Sequence, residues 1–175
     1  MKKIHLLALL LLVIAFGGCS KTSGDDYFVS FSVNGTNQKF TGYVAAHKEQ
    51  SGAVIELTMV GATSAVNDDN YFGIYLNNYP GWTDFVTGEY NDASTNFTVL
   101  ATYGKNGIDY EAGQTVAQEA AANGVILVNR FKVTITSISA ESVKGTFSGD
   151  FYEDGDVVSG GKFTITNGEF HAKFQ

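Results

Sequence analysis

The chain is short of the residues on which most site chemistry depends. One cysteine, one proline, one tryptophan and three histidines occur in 175 residues. A lone cysteine excludes an internal disulfide, so an apolar core has to hold the fold. The histidines stand apart at positions 5, 47 and 171. They form no His-x-His, HExxH or Cys-His spacing, so neither a transition-metal site nor a cofactor is expected. No serine lies in a G-x-S-x-G elbow. Basic residues number 11 against 18 acidic ones, a net charge of −7. That balance argues against nucleic acid, whose phosphates reward clustered Lys and Arg. It argues equally against electrostatic docking on anionic lipid.

The N-terminus carries an address. Met1-Lys2-Lys3 precedes an uncharged apolar run from Leu6 to Phe16, the layout of a bacterial secretion signal. The run falls short of the about 20 apolar residues that span a bilayer. Gly17-Gly18-Cys19 follows and resembles a lipobox, with Phe16 standing where Leu is usual. That resemblance implies cleavage before Cys19 and diacylglycerol on its thiol. The alternative is ordinary signal cleavage nearby, leaving a free thiol. The expected organisation is a signal peptide over 1–18, a lipidated tether over 19–26 and one β domain over 27–175. Acyl chains would then attach the protein to the bacterial envelope, with the outer membrane the expected site. Asp25 and Asp26 resemble a surface-export signal but sit late behind Lys21, so both leaflets stay open.

From Tyr27 onward the apolar residues repeat with a period of two. In YFVSFSVNGTNQKF, Val29, Phe31 and Val33 alternate with serines. A four-residue loop over 34–37 would pair Val33 with Gln38, Phe31 with Phe40 and Val29 with Gly42, keeping both aromatics on one face. AVIELTMV (53–60), NYFGIYLNN (70–78) and NFTVLATY (96–103) read as further strands. A turn at Asn106-Gly107 sets Tyr103 opposite Tyr110. Phe131, Val133 and Ile135 share one face. Beyond a turn near 137–141, Val143, Phe147 and Phe151 continue an inward face. In KFTITNGEFHAKF the apolar phase switches at Asn167-Gly168, through either a two-residue hairpin or a bulge. One short helix is expected, with a capping-box pattern at Thr115–Gln118 and Gly124 as its stop. Together these features predict an all-β fold, an antiparallel β-sandwich with a lipocalin-like closed barrel as the alternative.

Beside the lipobox, the FSVNGT hairpin, FVTGEY and KGTFSGDFYEDG…FTITNGEF resemble a recurring class of small Bacteroidota lipoproteins carrying a domain of unknown function. The resemblance implies a β-rich envelope lipoprotein and no catalytic residue.

Two acidic clusters, Asn67–Asn70 and Asp150 with Glu153–Asp156, offer oxygen ligands without a dedicated calcium-loop spacing, and read as solvated turn tips. The stretch Asn77-Asn78-Tyr79-Pro80-Gly81-Trp82-Thr83-Asp84-Phe85 sets aromatics among amides and a carboxylate at a Pro-Gly turn. Tyr79, Trp82, Asn77 and Asn78 are therefore the candidate ligand residues, for a glycan or another extracellular ligand. The competing reading has Trp82 plugging one end of the sandwich. A partner-binding module for envelope assembly and a hydrolase are the alternative functions. The expectation is a monomer that is not an enzyme.

Overall fold

The computed structural model describes residues 26–65, 69–78 and 84–175. Eleven strands and one helix are described: β1 (Phe28–Val33), β2 (Thr36–Phe40), β3 (Tyr43–Ser51), β4 (Val54–Ala62), β5 (Tyr71–Asn78), β6 (Gly88–Asn91), β7 (Phe97–Lys105), β8 (Ile108–Gly113), α1 (Gln114–Ala122), β9 (Lys132–Ile138), β10 (Ser142–Glu153) and β11 (Lys162–Phe174). The fold is all-β.

Hydrogen bonding joins the strands in the order β2-β1-β11-β3-β4-β5-β7-β8-β10-β9-β6, with β10 also bonded to β11. The sheet folds over into two facing layers. One contains β2-β1-β11-β10-β9-β6 and the other β3-β4-β5-β7-β8. Two short junctions connect them, each two residue pairs long: Lys173 and Phe174 with Ala45 and Ala46, and Tyr152 and Glu153 with Glu111 and Tyr110. The β11–β3 junction is parallel, where an antiparallel sheet throughout was expected. Only the ends of two long strands reach across, which is why sandwich and barrel patterns look alike in the sequence.

Aromatic rings from both layers fill the space between them. Phe31 of β1 meets Phe72 of β5 at 5.0 Å and Tyr103 of β7 at 5.1 Å. Phe147 of β10 stacks on Phe72 at 4.4 Å, and Phe163 of β11 meets Tyr103 edge-on at 5.6 Å. One buried cluster runs through all these strands. Such ring pairs add about 0.5–1.5 kcal/mol each beyond their burial.

Three of the four Asn-Gly pairs show how context selects backbone. At Asn34-Gly35 the φ angles are 49° and 82°, and Val33 pairs directly with Thr36. The hairpin is thus closed by a two-residue turn, the form Asn-Gly favours, and the four-residue loop is corrected to it. Phe31 lies opposite Gln38 and Phe40 opposite Val29. The slip is two residues, so the aromatics keep their face. At Asn106-Gly107 the expected turn forms and Tyr103 faces Tyr110. Asn167-Gly168 makes a bulge, with β11 continuous on both sides. Gly168 is required there, since a Cβ would lie 2.4 Å from the Phe147 carbonyl oxygen.

The helix begins at a different cap from the one expected. Gly113, with φ 104°, holds the N-cap without any side-chain bond, and Thr115 lies inside the helix. A Cβ on Gly113 would come within 2.2 Å of the Val99 carbonyl oxygen, so close packing of β8 on β7 sets the start. Val116 and Ala120, one turn apart, form its buried stripe. None of the described helices is long and apolar enough to cross a membrane.

Candidate functional site

Residues 77 and 78 end β5, and alternation sends them to opposite faces. Asn78 points inward, 2 % exposed, and its Oδ1 accepts the Ile55 backbone N–H of β4. It closes the β4–β5 edge from inside. Asn77 faces outward, where its Nδ2 donates to Glu56 Oε1 at 3.0 Å and to the Tyr75 hydroxyl oxygen at 2.9 Å. Tyr75 in turn donates to Glu56 Oε1 at 2.8 Å. Tyr79 and Trp82 lie outside the described residues, as does Cys19. On the far side of that stretch, Asp84 takes Lys48 Nζ at 2.6 Å and Phe85 turns into the core against Tyr90.

The outer face of β4-β5-β7 holds more than the sequence reading assigned to it. Tyr71, Gly73, Tyr75 and Asn77 follow one another along outward β5 positions, all partly exposed. Val60 and Thr102 flank Gly73 across the neighbouring strands, and Thr58 and Leu100 flank Tyr75. The missing side chain at Gly73 opens a groove of about 220 Å³, lined by Tyr71, Tyr75 and the four flanking residues and mainly apolar. Tyr71 lies across Gly104 of β7, where a Cβ would fall 2.2 Å from its Cε1. Its hydroxyl donates to Asp109 Oδ1 at 2.9 Å. Burial, followed by the Asp109 hydrogen bond and the charges of Asp109 and Glu111, pushes the Tyr71 hydroxyl up to about 12. Burial and then Glu56 raise Tyr75 as well. Both hydroxyls therefore stay protonated donors, each spent on a carboxylate.

The acidic clusters divide by role. Asp150 is 3 % exposed on β10, a correction to the solvated tip expected for it. Its carboxylate accepts Thr164 Oγ1 at 2.6 Å, Asn129 Nδ2 at 3.1 Å and Lys162 Nζ at 3.3 Å. Asp92, 5 % exposed, accepts Arg130 Nε at 2.6 Å and the Phe131 backbone N–H at 3.2 Å. These two carboxylates pin residues 129–131, which lead into β9. Asp156 stays at the surface and caps its own turn, accepting from Val158 N at 2.8 Å, Ser159 N at 2.9 Å and the Ser159 hydroxyl. Those bonds, the Ser159 hydroxyl first, hold it at about 2. Asn67 and Asp68 of the other cluster lie outside the described residues. His171, on β11, packs against Tyr27 at 4.7 Å. Its pKa is lowered by burial and by Lys144.

Set beside protein-family models, curated proteins and solved structures, the chain gives no match in any of the three comparisons.

Proposed function

We propose that the chain is a cell-envelope lipoprotein, anchored in the outer membrane through Cys19, that binds a glycan or another extracellular ligand without catalysing a reaction. The observation that carries the binding role is the outer β5 surface, where tyrosines, an amide and carboxylates meet beside the 79–83 stretch. Apolar area with a few fixed polar groups is the usual make-up of a ligand site. The non-catalytic part is supported by the buried acids: Asp92 and Asp150 are both engaged by structural partners. The anchor rests on the lipobox-like Gly17-Gly18-Cys19. In this reading the chain is of the small Bacteroidota lipoprotein kind.

Two measurements test the reading. Cys19→Ala should release the protein from the membrane fraction and end labelling by fatty acid; retention with labelling refutes the anchor. Titration of Trp82 fluorescence with a panel of glycans should show saturable changes, and a flat response across the panel removes Trp82 from the site.

A second reading, partner binding in envelope assembly, has one observation in its favour. Ile126 and Val128 stand 88 % and 81 % exposed between α1 and β9, two residues apart and just ahead of residues 129–131, which the Asp92 and Asp150 contacts hold. If this is the working surface, Ile126→Ser with Val128→Ser abolishes a crosslink formed in intact cells and leaves the melting temperature unchanged.

A further inference from the structure

Besides the 77–85 stretch, we propose that the groove over Gly73 is itself a carbohydrate subsite, and that it selects neutral over acidic glycans. The inference rests on the binding role proposed above and gives it a floor, two walls and a charge preference. Tyr71 and Tyr75 sit four residues apart on one strand, about 13 Å between Cα atoms at the usual strand rise. Gly73 lies midway, and its open face is the gap between the two side chains. The Tyr71 ring lies over Gly104, and Tyr71 and Tyr75 both line the groove. An aromatic face of this kind takes the C–H face of a pyranose, which is apolar while its edge carries hydroxyls.

Polar groups stand beside the two tyrosines, at the ends of the groove. Glu56 and Asn77 adjoin Tyr75, and Asp109 adjoins Tyr71. Carboxylates accept hydroxyl protons in short, charge-assisted bonds. Glu111, beside Asp109 on β8, adds to the negative charge felt by Tyr71. Glu49 lies opposite Glu56 in the β3–β4 ladder. The carboxylates stand at both ends of the groove, and exposed His47, opposite Thr58 in the β3–β4 ladder, lies 3.8 Å from Glu49. Uronate or sulfate groups would meet the like charge of Glu56, Asp109 and Glu111, which selects against them. A neutral sugar meets carboxylate acceptors and the Thr58 and Thr102 hydroxyls without charge repulsion.

Gly73 supplies a clean test. It lies in an ordinary strand conformation, and a Cβ there would meet nothing nearer than the Met59 carbonyl oxygen at 3.9 Å. Gly73→Val should therefore fold as the parent does while its side chain fills the groove. Tyr75→Phe keeps the ring and removes the hydroxyl that orders Glu56 and Asn77. The full-length protein in zwitterionic detergent is titrated with neutral β-glucan, mannan and xylan, and with polygalacturonate and dextran sulfate. The expected result is binding to a neutral polysaccharide, weakened at least tenfold by Gly73→Val and severalfold by Tyr75→Phe, with melting temperatures intact. Equal binding by Gly73→Val, with loss in Trp82→Ala, overturns the groove and leaves the broader binding role standing. Preference for the acidic polymers overturns the charge selection. Absence of binding to every polymer overturns the groove and the glycan reading together.

Discussion

Replacing Asp150 by alanine should cost about 3 kcal/mol of folding stability, a figure that follows from its partners. The carboxylate is almost fully enclosed and accepts from Thr164, Asn129 and Lys162. A hydrogen bond to a charged group contributes about 1.5–3 kcal/mol. Thr164 and Asn129 supply two such bonds, offset in part because both side chains can turn to water once the acid is gone. The Lys162 side chain is 46 % exposed, so its ion pair adds little after solvent screening. For a domain of this size each kcal/mol moves the melting temperature by about 2–4 °C, which makes the expected fall roughly 6–12 °C. Thermal unfolding followed by circular dichroism measures it. Asp154→Asn is the control, because Asp154 is exposed with φ 50° and asparagine tolerates that conformation. A fall below about 2 °C for Asp150→Ala would refute the structural assignment, because the bonds counted here would then contribute almost nothing.

Two further predictions concern the backbone and the tyrosines. Gly168→Ala should lower the urea midpoint by the equivalent of about 1–3 kcal/mol, the usual cost of forcing extra volume into a packed site; an unchanged midpoint would argue against the bulge under Phe147. In an alkaline titration Tyr71 should ionise late, at about 12. Because its folded pKa is raised, its contribution to stability is complete below about 10 and is lost as pH climbs from there towards 12. Tyr71→Phe should remove that late step in tyrosinate absorbance, and the claim fails if the step persists.

The sequence made the strands legible wherever one face is buried. β1, β7 and β9 announce themselves by alternation because each has a core side and a solvent side. β3 escaped notice for the opposite reason. Its second half, His47 to Ser51, is exposed beyond the core, so no apolar period survives there. Those three Asn-Gly pairs carry the same local signal and a similar Asn φ of 49°, 53° and 52°. Only tertiary context separates turn from bulge: β1 and β10 both pair with β11 across Asn167-Gly168 and keep it running straight on. The Gly73 groove is hidden in the sequence because Tyr-x-Gly-x-Tyr-x-Asn reads simply as one more strand. Its period-two spacing of ring, gap, ring and amide was the available clue. Asp150 was misplaced because its neighbours, Glu153 to Asp156, do form a turn; its own strand register puts it opposite Thr164.

β11 carries a kinetic consequence. Its hydrogen bonds reach β1 near residue 28, β3 near residue 45 and β10, so residues 162–174 tie together segments more than a hundred positions apart in the chain. Loops of that length close late, and folds dominated by non-local pairing form slowly. Until residues 162–174 arrive, β1 has only β2 and β3 only β4 beside it, and the β1–β11–β10 layer cannot assemble. In a chain emerging from the ribosome that layer therefore stays open until synthesis is nearly complete. That delay suits the export proposed for it, since a secretion channel threads unfolded polypeptide. It also means that apolar strands such as β4 and β5 stay uncovered in transit, where a holding chaperone would find them.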